Sequence, residues 1–275
     1  MKRWWWLFGL FLPGILQAQP VPKTGLVFDD PGYEALPFSG SLGKGPLPAK
    51  ISMEAWCPVV QTQGPYSTCV GFACGYYLHT ILEARSRRLT TRSQITPIAF
   101  SPGYVYEKAK SSKDYDCSQG ISLVKALEVM KEYGSTPIRE YPYPSCGKST
   151  GKADQSARTF RIAGYDRVFL AKDTPSDKTR YLKQALADGQ PVVVGLAVPA
   201  SFYFTRSTWQ PAPGDNPADP KLTGHALCVI GYDDEKGAFR IINSFGKNWA
   251  DSGYCWITYT DMGRFVRYGF VIRKS

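Results

Sequence analysis

Hydrophobic positions along the 275-residue chain change period a little past the middle. From Cys69, the residues Val70, Ala73, Cys74, Tyr77, Leu78 and Ile81 recur at the three-and-four spacing of one helical face. They predict a helix running to about Arg85, with the hydroxyl of Ser67 or Thr68 as its cap. A shorter helix opens at Ser101-Pro102, and a third carries Ile121, Val124, Leu127 and Met130 on one face until Gly134 ends it. After about residue 160 the pattern becomes strand-like. The predicted strands are Thr159 to Leu170, Pro191 to Val198, His225 to Tyr232, Phe239 to Asn243, Tyr254 to Thr258 and Tyr268 to Ile272, with one helix from about Ser176 to Asp188 among them. Residues 19–50 show no sustained period and many Pro and Gly, which reads as an extended lead-in or linker. A polar, Pro-rich insertion lies between Val198 and Gly224, of a length that is usually functional or mobile.

The candidate chemistry sits where loop becomes helix. A thiol in the first helical turn feels the positive end of the dipole, and Cys69 is therefore expected to carry thiolate character. A base must come from one of two histidines. His79 is ten residues further along the same helix, about 15 Å away at 1.5 Å per residue. That leaves His225. If the two strands around Asp233-Asp234-Glu235-Lys236-Gly237 form a hairpin centred near Glu235, His225 lies opposite a residue near 245 and Asn243 shares its face. A slip of one residue would separate the two.

These stretches resemble the papain-like cysteine peptidases. Gln63 stands six residues before Cys69, His225-Ala226 opens a later strand, and Asn243-Ser244-Phe245-Gly246 leads to Trp249 and Gly253-Tyr254, so that the order Gln, Cys, His, Asn is kept. The resemblance covers about residues 51–272. It implies an α+β fold of two subdomains, a helical half over about 51–158 and an antiparallel, barrel-like half over about 159–275, with the active-site cleft between. It implies that Cys69 is the nucleophile, that His225 is the base and acid, that Asn243 orients the imidazole, and that Gln63 serves the oxyanion hole with the Cys69 N–H. Gly120, Gly195, Gly224 and Trp249 fall at substrate-binding positions. The Gly195 strand walls the pocket for the second residue before the scissile bond, a roomy one for aromatic or large aliphatic side chains. Tyr141-Pro142-Tyr143-Pro144-Ser145-Cys146 is similar to the family's Tyr-Pro-Tyr loop followed by a disulfide cysteine. Three positions depart from the pattern: Val70 replaces an aromatic, Tyr66 a disulfide cysteine and Phe245 a shielding Trp. Residues 19–50 are also too short and too Pro-rich for the usual helical pro-region, which leaves room for a separate protein inhibitor.

Composition narrows the setting. Lys2-Arg3, the apolar run Trp4 to Leu16 and Ala18 read as a signal peptide over 1–18, too short to span a bilayer, so the mature chain is expected to be secreted or periplasmic without a stable membrane anchor. Seven cysteines in an exported chain point to disulfides with Cys69 as the odd thiol. The pairings of the other six stay open, with Cys117 and Cys146, which flank one helix-and-loop unit, as the favoured pair. The formal charge of +10 comes from scattered basic residues without a dense tract, which argues against nucleic acid as a partner. Gly147-Lys148-Ser149 lacks the earlier glycine of a phosphate loop, because position 142 is Pro142. Asp215 and Asp219 lack calcium-loop spacing, so neither metal nor cofactor is expected. The substrate implied is a peptide or protein. The rivals are a non-catalytic peptide-binding relative, and an amidase or acyl transferase using the same pair.

Overall fold

The computed structural model describes residues 23–40 and 45–274, so the expected signal peptide lies outside the described residues. Among the described residues there are eight strands: β1 (Lys50–Ser52), β2 (Ile162–Arg167), β3 (Val192–Val198), β4 (Thr208–Trp209), β5 (Thr223–Asp233), β6 (Ala238–Ile242), β7 (Tyr254–Thr258) and β8 (Val266–Lys274). They form one sheet in the order β2-β8-β3-β5-β6-β7-β4, with β1 added to the Asp233 end of β5. Every pairing is antiparallel except the short parallel contact of β4 with β7. β3 is buried along its whole length, as its unbroken Val/Leu/Ala run requires. The helix Pro175–Ala187 touches it, and so does the helix bearing Cys69.

That cysteine helix runs end to end through Cys69–Gly71, Phe72–His79 and Thr80–Ser86, with π-type turns in the middle section. Its residues Val70, Phe72, Tyr77 and Ile81 join Val193, Leu227 and Ile241 of the sheet in one continuous core. The helix is not capped as its sequence suggests. Thr68 stands at the N-cap without a side-chain bond to the helix, because its hydroxyl pairs with Tyr143 Oη at 2.8 Å. The Ser67 hydroxyl goes to the Ser118 carbonyl instead. Ser101 does cap the helix Pro102–Ala109 through Tyr104 N–H.

Cysteine pairing departs from the expectation of an extensive network. Cys117 and Cys146 are joined, whereas Cys57, Cys69, Cys74, Cys228 and Cys255 are free and buried. Burial suits these residues as small apolar groups as well as it suits half-cystines.

The lead-in is no mere linker. Its short helix Asp30–Glu34 places Tyr33 in full burial, with the Tyr33 hydroxyl donating to the Phe169 carbonyl at 2.6 Å. Asp30 pairs with Arg267 and accepts from the Tyr268 hydroxyl at 2.5 Å, and residues 37–39 bond along β2 at Arg167. From these anchors the chain reaches back across the cleft between the helical and sheet halves.

Candidate active site

β5 and β6 bring His225 and Asn243 to one face. At the turn, Asp233 faces Ala238 and Tyr232 faces Phe239, a register which, continued, would put Asn243 on the wrong side of the sheet. A bulge between Val229 and Gly231 shifts the pairing by one, so that Cys228 faces Ile242. The Ile230 carbonyl at the bulge accepts from Met53 N–H at 2.8 Å. His225 Nε2 then lies 2.7 Å from Asn243 Oδ1. The same oxygen accepts from Ser244 N–H at 2.8 Å, which makes Nε2 the protonated nitrogen of a neutral ring. Nδ1 is left buried, unprotonated and without a hydrogen-bond partner among the described residues.

Cys69 meets this pair from the helical wall. Its Sγ accepts the backbone N–H of Gly25 at 3.2 Å, and the backbone N–H groups of Ala226, the residue after His225, and of Gly25, Val70 and Cys69 itself favour the thiolate. Burial nonetheless outweighs these donors and pushes the thiol up to about 11. This reverses the sequence-based expectation of thiolate character, which considered the helix end without the covering chain. Burial also lowers His225, to about 4, against the opposing effect of its bond to Asn243. Both groups are therefore neutral near pH 7. Phe245 stacks on the imidazole at 4.6 Å between ring centres, and Phe202 from the insertion approaches it at 5.9 Å. His79 lies apart, stacked on Phe100 and bonded to Ser135 Oγ at 3.0 Å.

Gln63 is held from three sides. Its Oε1 accepts from Ser244 Oγ at 2.6 Å, its Nε2 donates to the Tyr66 carbonyl at 2.7 Å, and its backbone carbonyl accepts from Tyr143 Oη at 2.6 Å. The second donation of Nε2 goes to the Lys23 carbonyl at 2.8 Å. Ser244 and Tyr143 thus belong to the site although sequence reasoning gave them no role. Ser244 lay inside the Asn-Ser run and was within reach of such a reading.

The lead-in fills the groove beside these groups. Gly25 N–H donates to Cys69 Sγ at 3.2 Å and its carbonyl accepts from Ile121 N–H at 2.9 Å, while Leu26 N–H donates to the Gly224 carbonyl at 3.1 Å and Val27 N–H to the Ile121 carbonyl at 3.0 Å. Leu26 also faces Gly195, and a methyl group added at Gly195 would come within 2.7 Å of the leucine Cδ2. Gly195 and Gly224 therefore border this strand of chain. Gly120 borders it without pairing, since its own N–H goes to Tyr106 Oη at 2.8 Å and Ile121 does the bonding. Trp249 is buried behind Phe245, with its indole N–H on the Phe202 carbonyl at 3.3 Å. In the insertion, Asp215 is engaged by Ser201 Oγ and Ala212 N–H, and Asp219 by Lys221 N–H.

Fold and site together are those of the papain-like α+β class, a helix-borne cysteine set against a strand-borne histidine and asparagine. The family model for papain family cysteine proteases matches residues 60–265, and the chain belongs to that family. Xylellain, a cysteine protease from Xylella fastidiosa, aligns with 95% of this chain and 99% of its own at a TM-score of 0.75 and 23% identity. Cathepsin K of Mus musculus is 24% identical over 216 residues, which are 77% of this chain and 59% of that protein. An uncharacterised peptidase C1-like protein of Acanthamoeba polyphaga mimivirus is 24% identical over 200 residues, 70% of this chain and 61% of its own. The chain thus spans about three-fifths of the length of these curated relatives.

Proposed function

We propose that this chain is a latent, exported cysteine endopeptidase, held inactive by residues 23–28 of its own lead-in. The observation that carries the reading is the His225 ring, fixed through Nε2 by Asn243 and with its Nδ1 free of any partner among the described residues, on the strand against which the Cys69 helix packs.

Once the lead-in leaves, water reaches the pair and the Cys69 proton moves to His225 Nδ1. The sulfur attacks the carbonyl carbon of a bound peptide, and the oxygen takes up the charge against Gln63 Nε2 and Cys69 N–H, donors of a kind worth about 2.7–4 kcal/mol each. Collapse breaks the C–N bond as Nδ1–H protonates the leaving amine, leaving a thioester on Cys69. Water then gives a proton to Nδ1 and attacks the thioester, which releases the acid and restores the thiolate and imidazolium. Export is supported by the leader pattern at residues 1–18 and suits the Cys117–Cys146 disulfide.

The polarity of the lead-in accounts for its survival in the cleft. A substrate runs from the Gly195 pocket to Cys69 in the N-to-C direction, since the second residue before the scissile bond fills that pocket. The lead-in runs the other way, with Leu26 in the pocket and Gly25 at the sulfur. It therefore offers Sγ an N–H, and the carbonyl at Gln63 is that of Lys23, two residues away. Treatment of the non-reduced chain with a peptidyl epoxide, followed by peptide mapping, tests the function. Stoichiometric adduct on Cys69 after the lead-in is displaced is expected. Adduct on Cys57 or Cys228, or none at all, favours the non-catalytic peptide binder.

A further inference from the structure

Gln63 also borders a cavity of about 700 Å³ whose lining does not include Leu26. Tyr66, Tyr143 and Phe245 give it aromatic walls, and Gln61, Asn248 and Lys247 supply its polar groups. Lys247 is exposed and is the one charged side chain in this lining among the described residues; no carboxylate shares the cavity, and no ion pair engages its amine. The polarity argued above sends the residues that follow a scissile bond past Gln63 into this space. An ammonium group without a counter-ion beside aromatic walls favours a negative group and penalises a positive one.

We propose that Lys247 makes this cavity selective for substrates with an acidic side chain, Asp or Glu, in the first or second position after the cleaved bond. The proposal rests on the endopeptidase reading and adds a substrate class to it. Lys247 acts on the leaving half of the substrate and takes no part in bond breaking. A partly exposed ion pair of this kind corresponds to about a three- to fivefold preference in kcat/KM.

The test uses the full chain carrying Gly25→Val, in which a side chain at position 25 cannot fit beneath Ser67. Internally quenched peptides with Leu at the second position before the cleaved bond are compared, with Glu, Gln or Lys at each of the two following positions. Each rate is normalised to the same variant's rate on a peptidyl coumarylamide, which has no residue in the cavity. The expected order is Glu over Gln over Lys, with the Glu preference abolished in Lys247→Gln, kept in Lys247→Arg and inverted in Lys247→Glu. Equal rates for the three peptides, or a preference untouched in Lys247→Gln, overturns the proposal. So does a gain confined to peptides ending in a free α-carboxylate. Failure to cleave the coumarylamide and every peptide is a different outcome, because it removes the endopeptidase reading itself.

Discussion

Gly25 donates its backbone N–H to the sulfur of Cys69 at 3.2 Å, although 44 residues separate the two in sequence. The contact depends on the absence of a side chain, since a Cβ at position 25 would drive into the Ser67 carbonyl. Backbone cannot move aside as a flexible side-chain tip can, so the lead-in rather than the cleft must give way.

Gly25→Val in the full chain is therefore expected to open the site. Peptidyl epoxide labelling of Cys69 should accelerate at least about tenfold over the unsubstituted chain, which corresponds to about 1.4 kcal/mol of lost seating. Intact-mass kinetics at equal protein concentration measure this. Identical labelling rates in the two chains would remove the lead-in as the restraint.

In the Gly25→Val background, His225→Ala and Asn243→Ala should separate by mechanism. Loss of His225 removes the proton acceptor, and iodoacetamide reaction at Cys69 near pH 6 should fall to that of an ordinary thiol. Loss of Asn243 leaves the ring in place and should keep measurable reactivity while lowering turnover. If both variants alkylate like free cysteine, Cys69 and His225 form no ion pair.

The two histidines offer a pH readout. With the lead-in seated, the depressed value of about 4 keeps His225 neutral. The stability linked to that neutral ring is fully present above the ordinary histidine range near 6.5 and is lost as pH falls through about 4. Cys69, raised to about 11, contributes the opposite flank: present below the ordinary thiol value, lost as pH rises through about 11. Imidazole NMR of the full chain should thus show neither ring titrating near 6.5, because His79 is lowered to about 3 as well. In Gly25→Val only His225 should move upward. A normal titration of His225 in the unsubstituted chain would contradict its enclosure.

Gly195→Leu tests the pocket that Leu26 fills. The new side chain would collide with Leu26 and crowd Tyr268 and Leu123. In the Gly25→Val background, peptides with Leu or Phe in the second position before the cleaved bond should lose about tenfold or more in kcat/KM against Ala-containing peptides, because methylene-sized misfits cost about 1–3 kcal/mol. A preference for Gly or charged residues in the parent chain would show that the pocket does not select for apolar bulk.

The candidate groups were legible because their spacing is linear information: Gln63 six before Cys69, and a single histidine off the cysteine helix. The strands of the second half followed from their short apolar runs, and Pro175–Ala187 from its amphipathic period. The partnership of His225 with Asn243 was reached through a hairpin register that the turn itself does not set, since the bulge beside Ile230 makes the correction. No local pattern marks that bulge. It is held from outside by Met53, far away in sequence. The lead-in was illegible for a related reason. Lys23 to Phe28 has no period because it forms no element of its own, and its hydrogen bonds go to Ile121, Gly224, Gln63 and Cys69. Burial then reverses the charge state that the helix end alone suggests for the thiol.

Tyr33, buried beneath β8, holds the lead-in at a point removed from the sulfur it covers. Latency is accordingly a matter of effective concentration. While the backbone is continuous, the segment samples the cleft at the millimolar level typical of a short tether. A single cut between Gly40 and Gly45 would leave the contacts described for residues 23–40 in place yet turn a first-order equilibrium into a second-order one. Activity after such a cut would then depend on dilution, rising as the protein spreads into a larger volume and falling again wherever it accumulates.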